Sequence, residues 1–317
     1  LRDCLDLLES LGYCQFLSVD GPRNREFLVQ AAARGVGEAF IGRLLERLGR
    51  AVQPAAQPSP LLVAAEPSPT LTVQSLGRFE VTLNGRAVGP REWGTQAARE
   101  LFLYLLIHDG RASKEQLMAA LAPDASPARA NSQFHVAAYR VRRALYRGCV
   151  RFDGDTYQLD PAVNLTFDVA LFRQAVAAAD HAEMGSAAEL KALRQAVAGY
   201  TGRFLEGSYA EWVLAEQRRL EDEFLHAASC LASAELERGD QQAAIDAATR
   251  GLAVDNSLQE LHEVVVRALV QQGRRADADR HLEAYAAYLR EELGADLPRE
   301  LRHLLTGQTR PRLLVSH

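Results

Sequence analysis

The chain has 317 residues, a formal net charge of −5, 48% apolar and 24% charged residues. That is the balance of a folded protein of two or three domains, and it excludes collagen-like and low-complexity chains. The longest apolar run, Leu101 to Ile107, is far too short to span a bilayer, and no charged-then-apolar leader opens the chain. The four cysteines, Cys4, Cys14, Cys149 and Cys230, lack C-x-x-C spacing and read as free thiols in a reducing compartment. A cytoplasmic location with no membrane contact is therefore expected. The first residue is Leu, so the chain is expected to be the C-terminal part of a larger protein.

Residues 1–50 show three short helical stripes: Cys4, Leu7, Leu8 and Leu11, then Phe27, Ala31 and Ala32, then Phe40, Ile41, Leu44, Leu45 and Leu48. So few helices bury little core alone, so this stub is expected to end an upstream helical-repeat array. Residues 51–70, with Pro54, Pro58, Pro60, Pro67 and Pro69, read as an extended linker. Leu71 to Ser75, Phe79 to Leu83 and Arg86 to Val88 alternate like strands, and Asn84-Gly85 between the last two is a type I′ hairpin signal. A small sheet should therefore open the next domain. Thr95 is placed to cap a helix reaching about His108, with Ala98, Leu101, Phe102, Leu105 and Leu106 inward, and Asp109-Gly110 breaks it. Ser113 should cap a shorter helix to about Ala122, with Leu117 and Leu121 inward, and Pro123 ends it.

Residues 126–147 form the most informative stretch. Ser126-Pro127 reads as N-cap and first helical residue, and Gly148 as the C-terminal stop. Ala130, Phe134, Ala137, Ala138, Val141 and Leu145 recur at helical spacing and should face the core. From Arg129 to Arg147 there are five arginines and no acid, a local reversal of sign suited to phosphates. Val150-Arg151-Phe152 and Thr156 to Leu159 flank Asp153-Gly154-Asp155, a strong hairpin signal. A basic helix followed at once by a hairpin is the end of a winged helix-turn-helix.

From Phe167 onward the pattern is helical, with an internal repeat over 227–290. Gly239 and Gly273 lie 34 residues apart, as do Leu231 and Val265, Ala234 and Ala268, Leu236 and Val270, and Ala244 and Ala278. That period is the signature of tetratricopeptide (TPR) repeats, whose arrays present concave protein-binding surfaces. Charge divides accordingly: net −1 over 1–70, +3 over 71–160 and −7 over 161–317. A basic module beside an acidic one suits DNA contact by the first and protein contact by the second. The aromatic set Phe204, Tyr209 and Trp212 reads as packing between helices. Eight dispersed histidines give no metal-ligand spacing. No nucleophile elbow or P-loop occurs, so neither an enzyme nor a cofactor is expected.

Several stretches together resemble bacterial transcriptional activators of the antibiotic-regulatory (SARP-like) type. They are Leu76-Gly77-Arg78-Phe79-Glu80-Val81, Phe134-His135-Val136 with Tyr139 to Leu145, Gly202-Arg203-Phe204-Leu205-Glu206 leading to Glu211-Trp212, Gly273-Arg274 and Glu291-Glu292-Leu293-Gly294. The resemblance covers 71 to about 305. It implies an OmpR-like winged helix joined to a TPR-like bacterial transcriptional activator domain, activation through RNA polymerase recruitment, and binding to direct repeats in promoters. The acidic wing tip, Asp153-Gly154-Asp155, departs from a minor-groove-inserting wing.

The expected fold is mainly α: a winged helix-turn-helix with a small N-terminal β-sheet, then a TPR-like all-α domain. The expected domains are a stub at 1–50, a linker at 51–70, the DNA-binding domain at 71–160, the TPR-like domain at 161–306 and a tail at 307–317. The expected function is a DNA-binding transcriptional regulator, bound to the nucleoid when engaged and able to pair as a homodimer. The competing reading is a TPR-type adaptor whose winged helix binds protein. At about 100° per residue, the helix face opposite Phe134 and Val141 centres on Ser132, Val136, Tyr139 and Arg143. Asn131, Ser132, Gln133, His135 and Val136 are expected near bases, where amides pair with adenine and an apolar side chain meets a thymine methyl. Arg129, Arg140, Arg143 and Arg147 are expected on phosphates, with Gln96 and Arg99 adding backbone contacts.

Overall fold

A computed structural model of the chain describes residues 68–305. The helical stub at 1–50, nearly all of the 51–70 linker and the tail at 307–317 lie outside the described residues. The fold is mainly α: a winged helix-turn-helix with a small N-terminal sheet, followed by a TPR-like helical array.

Strand β1 (Thr70–Gln74) pairs antiparallel with β2 (Glu80–Leu83), and β2 with β3 (Arg86–Ala87). The Asn84-Gly85 turn has both residues at positive φ, 50° and 78°, as a type I′ turn requires. A four-residue helix α1 (Pro90–Trp93) follows. The sequence reading left it out, because its single core residue, Trp93, carries no periodicity. Trp93 is buried against Phe79 and Phe102, with ring centroids 5.6 and 5.4 Å away.

Helix α2 (Gln96–Ile107) starts at Thr95, whose side chain accepts from the Ala98 amide, and buries the five expected residues together with Leu103. Asp109 and Gly110 take positive φ and end it. The next strand, β4 (Arg111–Ser113), is too short to leave an alternating pattern, and its partner β6 lies more than 40 residues on. Ser113 and Gln116 form a reciprocal capping box at the start of α3 (Lys114–Leu121), which satisfies two otherwise free amides. Leu117 is buried there, whereas Leu121 is only partly so.

Helix α4 (Pro127–Ala144) buries Ala130, Phe134, Ala137, Ala138 and Val141, as the spacing requires. It ends three residues before the expected Arg147. Leu145 leaves helical geometry (φ −99°, ψ −89°) to bury its side chain, and the Cys149 amide closes a turn on the Tyr146 carbonyl. The Tyr146 hydroxyl bonds Asp160. Gly148 is not among the positive-φ glycines and is not the helix stop. Ser126 holds the N-cap position without a side-chain cap bond. The wing is β5 (Val150–Asp153) against β6 (Thr156–Leu159), with Gly154 at positive φ in the two-residue turn.

Strand β7 (Asn164–Phe167) was not expected. It pairs parallel with β1, giving a sheet ordered β3-β2-β1-β7. Asp168, the first residue of α5 (Asp168–Asp180), accepts from the amides of Ser75 and Leu76 at 2.6 and 2.7 Å and from the Ser75 hydroxyl. After α6 (Ala187–Gly199), the segment 201–205 returns to the same strand. Gly77 donates to the Arg203 carbonyl, Leu205 donates to the Ser75 carbonyl, and the Thr201 hydroxyl bonds the Leu76 carbonyl. A β-carbon on Gly202 would lie 2.9 Å from the Gly77 Cα, so the Gly-Arg-Phe-Leu-Glu stretch begins with glycine because two backbones meet there.

The remaining helices are α7 (Glu211–Glu237), α8 (Gln241–Leu252), α9 (Gln259–Gln271), α10 (Arg275–Glu292) and α11 (Arg299–Leu305). Gly239 and Gly273, at φ 82° and 75°, end α7 and α9 one repeat apart, and Ala244 and Ala278 are both fully buried. No helix among the described residues is long and apolar enough to cross a membrane.

Candidate nucleic-acid interface

Helices α2, α3 and α4 pack on one another through Leu101, Leu105, Leu117, Phe134 and Val141, all fully buried. Phe134 also meets the wing, with its ring centroid 4.7 Å from that of Tyr157. Four turns of α4 are thus held rigidly, and the rest of its surface is free to present side chains.

That outer surface carries Arg129, Ser132, Gln133, His135, Val136, Tyr139 and Arg143, all exposed. Val136 is 48% and Tyr139 61% exposed, an unusual display for apolar side chains on an arginine-rich helix. No acid occurs between Pro127 and Ala144. Seven of the expected residues therefore come together over one helix face, and the other five are placed differently. Asn131 is half-buried, and its Oδ1 is enclosed without a hydrogen bond. Arg140 is half-buried and lies over Gly94, at the turn between α1 and α2. Arg147 is exposed but lies beyond the helix end. Arg99 sits over the Phe79 ring, 5.5 Å from its centroid, with Nε enclosed and unpartnered. Gln96 is exposed in the first turn of α2.

Electrostatics agree with a cationic face. His135 has its pKa lowered, first by partial burial and then by the charges of Lys114 and Arg142, which keeps the ring neutral at pH 7. Lys114, at the start of α3, carries no sequence signal of its own, because Glu115 follows it and offsets its charge. Arg142 is not part of the free face: its Nε donates to the Val150 carbonyl at 2.9 Å and ties α4 to the wing. Arg151 is likewise engaged, donating to the Gly148 carbonyl and pairing at 2.9 Å with the buried Asp160. Phe152 on the wing is 56% exposed. It pairs with Tyr157 across the hairpin, with ring centroids 4.9 Å apart. Tyr209, expected to pack with Phe204 and Trp212, is 87% exposed, because it follows the Gly207 bend and points off the helical domain.

Comparison with known proteins places this geometry. Residues 167–306 match the family described as the bacterial transcriptional activator domain, BTAD. Among solved structures, the fold is similar to Mycobacterium tuberculosis EmbR in complex with low affinity phosphopeptide, with a TM-score of 0.60 and 21% identity. The likeness covers 77% of this chain and 66% of that chain, so this chain spans about two thirds of EmbR's length. At that identity the likeness describes the fold. No curated protein matches the chain significantly.

Proposed function

We propose that the chain is a sequence-specific, double-stranded-DNA-binding transcriptional regulator, an activator that works at promoters by recruiting RNA polymerase. The observation that carries this reading is the outer face of α4, where exposed arginines, amides and a hydroxyl flank Val136 and Tyr139 with no acid among them. The BTAD match over 167–306 and the winged-helix fold support it. In this reading Asn131, Ser132, Gln133, His135 and Val136 meet base edges, and Tyr139 lies alongside. Arg129, Arg140, Arg143 and Arg147 bind phosphates, with Gln96 and Arg99 toward the backbone at the start of α2. The working division keeps DNA contact within 71–160 and protein contact, including homodimer formation on direct repeats, within 161–306. No enzymatic step and no cofactor belong to it.

The test is binding of the purified chain to a library of duplexes, followed by titration of the enriched site at increasing salt. Enrichment of one motif, with affinity falling steeply as salt rises, supports the proposal. Absence of any duplex binding at low salt overturns it and favours the protein-binding adaptor.

A further inference from the structure

A second surface lies where the winged helix meets the helical domain. A cleft of about 850 Å³ opens between α2, α3, the loop leading to α4 and the start of α7. None of the residues on the outer face of α4 lines it. Its aromatic wall is built from Tyr104 and Trp212, whose rings meet edge to face at 5.2 Å, with Tyr209 at the rim. Its charged groups are three carboxylates, Glu100, Asp124 and Glu211, and no lysine or arginine lines it. The rest of the lining is small, apolar or amide.

Two details mark the cleft as more than a packing gap. Glu100 is only 9% exposed and held by the Ser208 hydroxyl at 2.6 Å, so a carboxylate is fixed in place at a low-dielectric wall. The loop that delivers Tyr209 is also constrained. Leu205 holds a left-handed φ of 42°, fixed by its amide on Ser75 and by Gln217 donating to the Phe204 carbonyl. Strain of this kind persists where the surroundings over-determine it.

We propose that this cleft docks an arginine-bearing, apolar-flanked segment of a partner protein. Guanidinium planes stack on aromatic faces and pair bidentately with carboxylates; one face of Tyr104 is already taken by His108, stacked at 4.0 Å, and the exposed Tyr209 ring at the rim offers the stacking face beside the carboxylates. The volume suits several residues. Because both domains line the cleft, its occupant contacts the DNA-binding unit and the helical array at once. The inference does not depend on which DNA sequence α4 reads, or on whether it reads one.

The chain contains two tryptophans, so its indole N–H signals report the cleft directly. Trp212 lines it, and Trp93 is buried in the winged-helix core. The full ¹⁵N-labelled chain is titrated with a capped hexapeptide of alternating leucine and arginine, and separately with its leucine–glutamate counterpart. The Trp212 signal is assigned with W212F. The arginine peptide should shift the Trp212 signal saturably and leave Trp93 in place, and the glutamate peptide should do neither. Tyr209→Ala and Glu211→Gln, both at exposed positions in the helical domain, should each weaken the arginine peptide at least tenfold without changing affinity for DNA. No Trp212 shift, equal shifts with both peptides, or undiminished binding in both variants overturns the proposal.

Discussion

Arg142 and Arg143 are adjacent in sequence and opposite in role. Arg143 is exposed on the outer face of α4, whereas Arg142 turns back to hold the Val150 carbonyl. Arg143→Ala should leave thermal stability unchanged and reduce the log–log salt slope of DNA binding by about 1, measured by fluorescence anisotropy across a salt series; an unaltered slope would remove Arg143 from the phosphate contacts. Arg142→Ala should instead destabilise the fold by about 1.5–3 kcal/mol, the range for a hydrogen bond to a charged group, and loosen the wing. Gln133→Ala should cost about 1–3 kcal/mol on the preferred site and almost nothing on random duplex; equal losses on both would mean that Gln133 reads no base. Phe134→Ala acts through packing alone: a fully buried ring that touches the wing is lost, so unfolding free energy should drop by about 3–5 kcal/mol.

At the scale of elements, α9 and α10 are joined by a pair of histidines. His262 Nε2 faces the Asn256 carbonyl at 3.0 Å and must donate to it. Its Nδ1 is therefore the acceptor for His281 Nε2 at 2.9 Å. Tyr285 stacks on His262 at 3.5 Å and donates its hydroxyl to Ser257. Both rings are held neutral: burial lowers the pKa of His262, and burial, followed by the repulsion a protonated His262 would exert, lowers that of His281 to about 4. The unfolded histidines titrate near 6.5. The stabilisation is therefore complete above that pH and is lost as pH falls from about 6.5 toward 4. Allowing for the water that reaches His281, the loss is on the order of 1–2 kcal/mol. Calorimetry between pH 7.5 and 5 should show a falling Tm, and His281→Gln should flatten that dependence; a variant that tracks the parent would show that other groups govern the acid limb.

The same scale shows what the sequence made legible. Helices α2, α3 and α4 and both hairpins were readable because their signals are local: caps at Thr95 and Ser113, the apolar spacing of α4, and Asn-Gly and Asp-Gly turns. The repeat that places Gly239 and Gly273 was readable for the same reason. Strands β4 and β7 were not, because each exists only through a partner distant in the chain. The end of α4 was misjudged because the burial of Leu145 and the Tyr146–Asp160 bond outweigh a glycine signal at 148. For the candidate interface, the exposed face of α4 followed from periodicity, but the inward turn of Arg142 and the exposure of Tyr209 depend on tertiary contacts that no spacing encodes.

For the molecule as a whole, the proposed function carries a geometric expectation: a single recognition helix would read few base pairs, so specificity would require two copies on adjacent half-sites about one DNA turn apart. The acidic 161–317 region, at net −7, is better suited to protein contact than to DNA. Insertion of half a turn, about 5 base pairs, between half-sites should abolish tight footprinting by the chain. Protection that ignores spacing, with a single chain per duplex in sedimentation, would leave a monomeric regulator.

The parallel pairing of β1 with β7 also sets an order in time. Thr70 is partnered by Asn164, and Gly77, just past β1, by Arg203, so a ribosome releases β1 long before these later partners exist. Until then β1 has β2 on one side and an open edge on the other, the arrangement most prone to pairing with a foreign strand. The sheet that opens the winged-helix domain therefore becomes complete only after the first helices of the following domain have been made. Nascent chains arrested at residue 160 should be cleaved rapidly by protease in the β1–β3 region, and those extended past residue 210 should resist. Equal resistance at both lengths would mean that the first hairpin and the three helices stand without the strand that arrives last.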